Sequence, residues 1–181
     1  MPTPEEVLHF WFEEIPPSAW FRPGPEGDRV VRERFAALTE QALAGGLDTW
    51  GDNTPDALAL VLVLDQFPRQ IWRDQARAFA GDGQAQALTL RALEAGWIER
   101  EPAPERRPFW LMPLMHSEEL ALQELGLPLF DRLTDDRTAD FARRHLDVIA
   151  RFGRFPHRNR ALGRPSTHEE VAFLQQPGSR F

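Results

Sequence analysis

ALALVLVLDQ, residues 57–66, is the stretch that decides the fold. Thr54-Pro55 opens it as a helix, and its eight leading residues are all apolar, so no face is left for water. Such a helix belongs at the centre of a bundle, wrapped by others. At helical spacing Leu58, Val61, Leu62 and Asp65 share one stripe, which places a carboxylate at the end of an apolar face. Phe67-Pro68 is expected to break the helix.

Outward from this segment the chain reads as helices in both directions. Thr3-Pro4-Glu5-Glu6 is a capping box with proline at the first helical position, opening a helix through about Glu14. A Pro/Gly loop spans Ile15 to Gly27. Val31, Phe35, Leu38, Ala42 and Leu43 then mark one face of a second helix, ended by Gly45-Gly46. Downstream, a helix runs from about Asp82 to Gly96, and Glu99 to Pro108 reads as a surface loop rich in proline and charge. PLMHSEELALQELG and a long helix from about Asp135 to Phe152 follow. Ser166-Thr167 with Glu169-Glu170 offers overlapping capping boxes for a last short helix. No segment alternates with period two between hairpin turns. The expectation is an all-α, single-domain bundle of antiparallel helical hairpins over residues 1–181. DQFPRQ (65–70) and GRFPHR (153–158) form a faint internal echo.

Composition narrows the chemistry. The 181 residues are 42% hydrophobic and 27% charged, ordinary for a globular domain with a proper core. With no cysteine, disulfides, thiolate metal sites and cysteine nucleophiles are excluded. All 21 basic residues are arginine, and zero lysine removes Schiff-base chemistry and the P-loop. A net charge of −7 argues against a nucleic-acid partner. The acidic N-terminus lacks the basic region of a secretion signal, and no apolar run approaches the roughly 20 residues of a spanning helix. A cytoplasmic protein without a membrane partner is expected.

Against this acidic background stands RFGRFPHRN, residues 151–159, followed by Arg160 and Arg164. The stretch gathers five arginines and a histidine, and no Asp or Glu occurs from Val148 to His168. Guanidinium is the preferred fork for carboxylate or phosphate, so one reading is an anion site. The other is a loop whose arginines bind helix carbonyls and acidic partners. Polar residues also fall at inward positions elsewhere. Phe141, His145, Val148 and Phe152 share a stripe, and in PLMHSEELALQ helical spacing sets His116, Glu119 and Gln123 on one face. Buried polar groups need partners, so several of these should meet one another or a ligand. Asp65 has a structural alternative in pairing with Arg69, one turn on, or with an arginine of 151–164. His116-x-x-Glu119 with His145 or His157 matches neither HExxH nor Glu-x-x-His, and the arginines repel a cation, so no metal is expected. A triad of Ser117, His116 or His145 and Asp65 lacks a nucleophile elbow.

Four stretches carry a resemblance: VLHFWF, LVLDQFPRQIWR with AFAGD, PLMHSEELALQ, and RRHLDVIARFGRFPHRNRALGRPSTHEE. In order and over nearly the whole chain they resemble the bacterial domain-of-unknown-function 924 family. The resemblance implies a helical fold similar to tetratricopeptide repeats and no established activity. The family pattern matches Asp65, Gln66, Arg69, His116, Ser117, Glu118, His145, Arg151, Arg154, His157, Arg158, Asn159 and Arg164. It departs at Gln70, where the family usually has Asn.

Three functional readings follow. The first is a small-molecule site without a cofactor, in which Arg151, Arg154, Arg158 and Arg164, with Gln66, Arg69 and Asn159, hold an anionic group. His116, His145 or His157 would act as acid or base, oriented by Asp65 or Glu118. The second is a tetratricopeptide-like module binding an acidic peptide or chain terminus. The third is a purely structural polar network. The first requires Asp65, His116, His145 and the arginine stretch to converge in space.

Overall fold

The computed structural model describes residues 1–181 and is all-helical. Its nine α-helices are α1 (Pro4–His9), α2 (Pro25–Leu43), α3 (Asp56–Ile71), α4 (Asp82–Glu94), α5 (Arg107–Met115), α6 (Leu120–Leu133), α7 (Asp136–Phe152), α8 (Asn159–Leu162) and α9 (His168–Leu174). Helix α3 is central, and every residue of it except Asp56 and Arg69 is buried. Helices α1, α2, α4 and α5 pack around it, α6 lies on α5, and α7 lies on α6.

Thirty-one buried residues form the core. Aromatic side chains dominate one end: Phe67 packs 4.8 Å from Phe35, and Trp11 meets Phe67 and Phe109 at 5.9 and 5.6 Å. Such pairs contribute about 0.5–1.5 kcal/mol each beyond the area they bury. A smaller cluster of Val148, Ile149 and Phe155, with Phe152 and Phe173 against it, holds the arginine-rich loop onto α7.

Local rules explain most boundaries. Thr3 with Glu6 and Thr167 with Glu170 both form complete capping boxes, and Asp135 caps α7 by accepting from the Thr138 N–H at 2.8 Å. Gly153 ends α7 with φ +70°, a left-handed cap that a side chain resists. Four boundaries differ from expectation. The first helix is α-helical only to His9 and finishes as a π turn over Phe10–Glu14. Helix α2 starts at Pro25 rather than beyond Gly27, because proline suits the first helical position. The surface loop ends at Arg106, so Pro108 lies in the first turn of α5.

Phe67-Pro68 does not end α3, which continues to Ile71 with Pro68 inside it. Pro68 has no N–H to give the Leu64 carbonyl. That carbonyl is instead covered by Gly81, where a Cβ would lie only 2.2 Å from the oxygen. A glycine-only contact thus seats the start of α4, and with it Asp82, against the end of α3.

Candidate functional site

The stripe of α3 carries Asp65 fully into the interior, with 0% exposure. There its carboxylate accepts from Gln66 Nε2 at 2.7 Å and lies 2.7 Å from His116 Nδ1. Burial alone would raise the Asp65 carboxyl. The positive charge of His116 when protonated, the Arg69 guanidinium and these hydrogen bonds outweigh it and hold Asp65 below its ordinary value. Burial, and then Arg69, lower the pKa of His116 against the pull of Asp65. At neutral pH the pair is therefore carboxylate and neutral imidazole. An ionised carboxylate only accepts, so Nδ1 carries the proton and Nε2 the lone pair. The His116 side chain keeps 17% exposure.

His116 takes this position because α5 ends there: its N–H closes the helix onto Met112 O. The helical spacing read through PLMHSEELALQ does not hold. His116, Ser117, Glu118 and Glu119 form a break between α5 and α6, so His116, Glu119 and Gln123 do not share one helical face. Ser117 Oγ accepts from the Glu119 N–H at 3.1 Å, so this hydroxyl helps open α6. Gln123 is buried and ties the break together, donating to Met115 O and Ser117 O at 2.6 and 2.8 Å. Glu119 is exposed.

Arg69 donates to Asp65 O at 2.7 Å and grips Asp82 through both terminal nitrogens, at 2.7 and 3.0 Å. Its approach to the Asp65 carboxylate is looser, 3.4 Å. Arg158 joins the same Asp82 at 3.3 Å and donates to His116 O at 2.8 Å. The Arg158 guanidinium lies over both Phe79 and Phe155, 4.5 and 4.7 Å from their ring centres. Burial, then Arg69, bring its pKa down to about 10, which leaves it charged at neutral pH. Asp65, Arg69, Asp82 and Arg158 thus balance one another.

Two further imidazoles border this group. His145 Nδ1 donates to Phe141 O at 2.7 Å, and its ring centre lies 6.3 Å from that of His116. Desolvation pushes His145 well below its ordinary pKa, and it lowers His157 to about 3, with Arg158 adding to both shifts. All three histidines are neutral. Two buried atoms in this region have no partner, Arg158 Nε and His157 Nδ1. The ring of Phe181 lies on these two imidazoles, stacked on His145 at 3.8 Å and edge-on to His157 at 5.8 Å.

The remaining predicted residues form a neighbouring network. Glu118 accepts from the Phe155 N–H at 2.8 Å and pairs with Arg164 through both oxygens, at 2.8 and 2.9 Å. Arg164 also donates to Asn159, whose amide reaches Glu170 at 3.2 Å. Arg154 holds Glu170 through two bonds of 2.7 and 2.9 Å. Arg151 pairs with Glu169 at the surface. The fold therefore brings Asp65, Gln66, Arg69, His116, His145, His157 and Arg158 together. It engages Arg151, Arg154 and Arg164 with carboxylates of the chain's own, and the same bonds tie Glu118 and Asn159 into the loop.

Sequence does not single out Asp82 or Phe181, and it marks Glu170 only as a capping residue. Charge balance was the available signal: arginines inside a stretch without acids must draw carboxylates from elsewhere. Two open concavities of about 760 and 550 Å³ lie at other places and share no lining residue with the histidine group. The larger is mainly acidic, with Glu5, Glu6, Glu13, Glu14 and Asp56 on its walls.

The fold of the chain is similar to that of a protein of unknown function from Agrobacterium tumefaciens, with a TM-score of 0.89 and 32% identity, over 95% of this chain and 96% of that one. No functionally curated protein matches it. The model of the family described as "Bacterial protein of unknown function (DUF924)" matches residues 7–178, and with nearly its whole length matched the chain belongs to that family.

Proposed function

We propose that the His116 group binds a small molecule carrying a carboxylate or phosphate, and that His116 acts on it as a general base. The observation that carries this reading is the 2.7 Å contact between fully buried Asp65 and a partly exposed His116. Asp65 fixes the tautomer, leaves Nε2 free to take a proton, and stabilises the imidazolium that then forms. The depressed pKa of His116 keeps it in the accepting form at pH 7. Arg158 is the arginine suited to the anionic group. Its terminal nitrogens reach Asp82 and His116 O but its Nε has no acceptor, whereas the Nε atoms of Arg151, Arg154 and Arg164 donate to Glu169, Glu170 and Asn159. A structural reading is favoured for those three, since their ion pairs pin residues 151–170.

A thermal-shift series with inorganic phosphate and with carboxylated and phosphorylated metabolites tests the binding. A ligand at one hundred times its Kd stabilises the fold by about 2.7 kcal/mol. His116→Asn separates the roles, because its amide keeps an N–H donor for Asp65 while removing the base. Binding should survive in the variant and turnover should be lost. Melting temperatures unmoved by every anion would sink the reading.

A further inference from the structure

We propose that the slot formed by His145, Phe155 and His157 is a binding subsite for a planar aromatic ring, and that Phe181 is its built-in occupant. This rests on the reading of the His116 group as a ligand site and adds the chemistry of the ligand's apolar part. The Phe181 ring lies over the His145 imidazole at 3.8 Å with an interplanar angle of 27°. It meets His157 and Phe155 edge-on, at 5.8 and 6.0 Å and 76° in both cases. One stacked wall and two perpendicular walls form a receptacle for a flat ring, the geometry in which aromatic pairs attract through their quadrupoles. An aliphatic chain would cover the same surface without matching either orientation.

The occupant is lightly held. Ser179 is buried and anchored, its hydroxyl donating to Leu174 O at 3.2 Å. Beyond it, neither Arg180 nor Phe181 takes part in a hydrogen bond. Phe181 remains 38% exposed, with Arg144 at 5.8 Å over its ring as an additional contact. Ring contacts alone hold its side chain, against the entropy of ordering it. A ligand ring making the same contacts can displace it, and an anionic or polar substituent on that ring would lie beside His145, next to His116.

Calorimetric titrations with benzoate, phenol and inorganic phosphate test this on wild type, Phe181→Ala and Phe181→Trp. Benzoate and phenol should bind Phe181→Ala about tenfold more tightly than wild type, since no resident ring is displaced. Phe181→Trp should behave as wild type, and the phosphate affinity should not depend on residue 181. If neither ring gains affinity in Phe181→Ala, the slot is overturned whether or not phosphate binds, and phosphate binding to both chains would then leave the anion reading standing. If phenol gains while phosphate and benzoate bind neither chain, the slot stands and the anion reading falls.

Discussion

Removing the Asp82 carboxylate would leave Arg69 and Arg158, both largely buried, without the counter-charge they share. Breaking a buried ion pair from one side costs about 3–5 kcal/mol, and Asp82→Ala should lose that much in a urea melt. Arg154→Ala removes two bonds to Glu170 but leaves that carboxylate its contacts with Asn159 and the Thr167 N–H. A lower unfolding midpoint is expected in the same melt. No loss would mean that Arg154 is not a strut and is free for a ligand. Asp65 and His145 were legible as residues because each interrupts an apolar stripe. Asp82 was not. An acid in the first turn of a helix ordinarily complements the helix dipole, and nothing local distinguishes one that is gripped by two distant arginines.

Two glycines set element positions for opposite reasons, and substitution tells them apart. Gly81 precedes α4 with an ordinary φ of −91°, yet a Cβ there would lie 2.2 Å from the Leu64 oxygen. Gly81→Ala must push the start of α4 off α3, carrying Asp82 with it, and should cost about 1–3 kcal/mol. Gly153 has open space around it but a φ of +70°, so Gly153→Ala should cost about 1–2 kcal/mol through backbone strain alone. Denaturant midpoints measure both, and only Gly81→Ala should also disturb the Asp82 signals in NMR spectra. At this scale the helices were legible from apolar period and capping residues. The α5–α6 break was not, since its His-Ser-Glu-Glu continues a helical spacing that tertiary contacts override. The Phe-Pro echo proved to be two different structures, a proline inside α3 and a 3₁₀ turn after α7, whose arginines nevertheless meet on Asp82.

For the molecule as a whole, three neutral histidines make stability depend on acidity. The unfolded chain takes up a proton at each of His116, His145 and His157 below about pH 6.5, while the folded chain resists, His157 down to about 3. The unfolded state then binds more protons, so stability falls as pH falls, by up to about 1.4 kcal/mol per pH unit for each histidine. Urea melts between pH 6.5 and 5 should show that decline, and His157→Gln should remove about one proton's share of the slope. An unchanged slope would mean that His157 charges freely in the fold. All-helical architecture was readable from the chain, and so was the meeting of the histidines with one arginine of the loop, Arg158, whereas the seating of Phe181 on His145 and His157 depends on packing that no periodicity encodes. The grip of Arg158 on Asp82 spans 76 residues, and that separation also acts in time. Synthesis runs from the N-terminus, so Asp65, Arg69, Asp82 and His116 leave the ribosome well before Arg158. Until Arg158 is made, Asp65 and Asp82 have only Arg69 from this quartet to draw on, and its charge balance is completed when the arginine-rich loop docks.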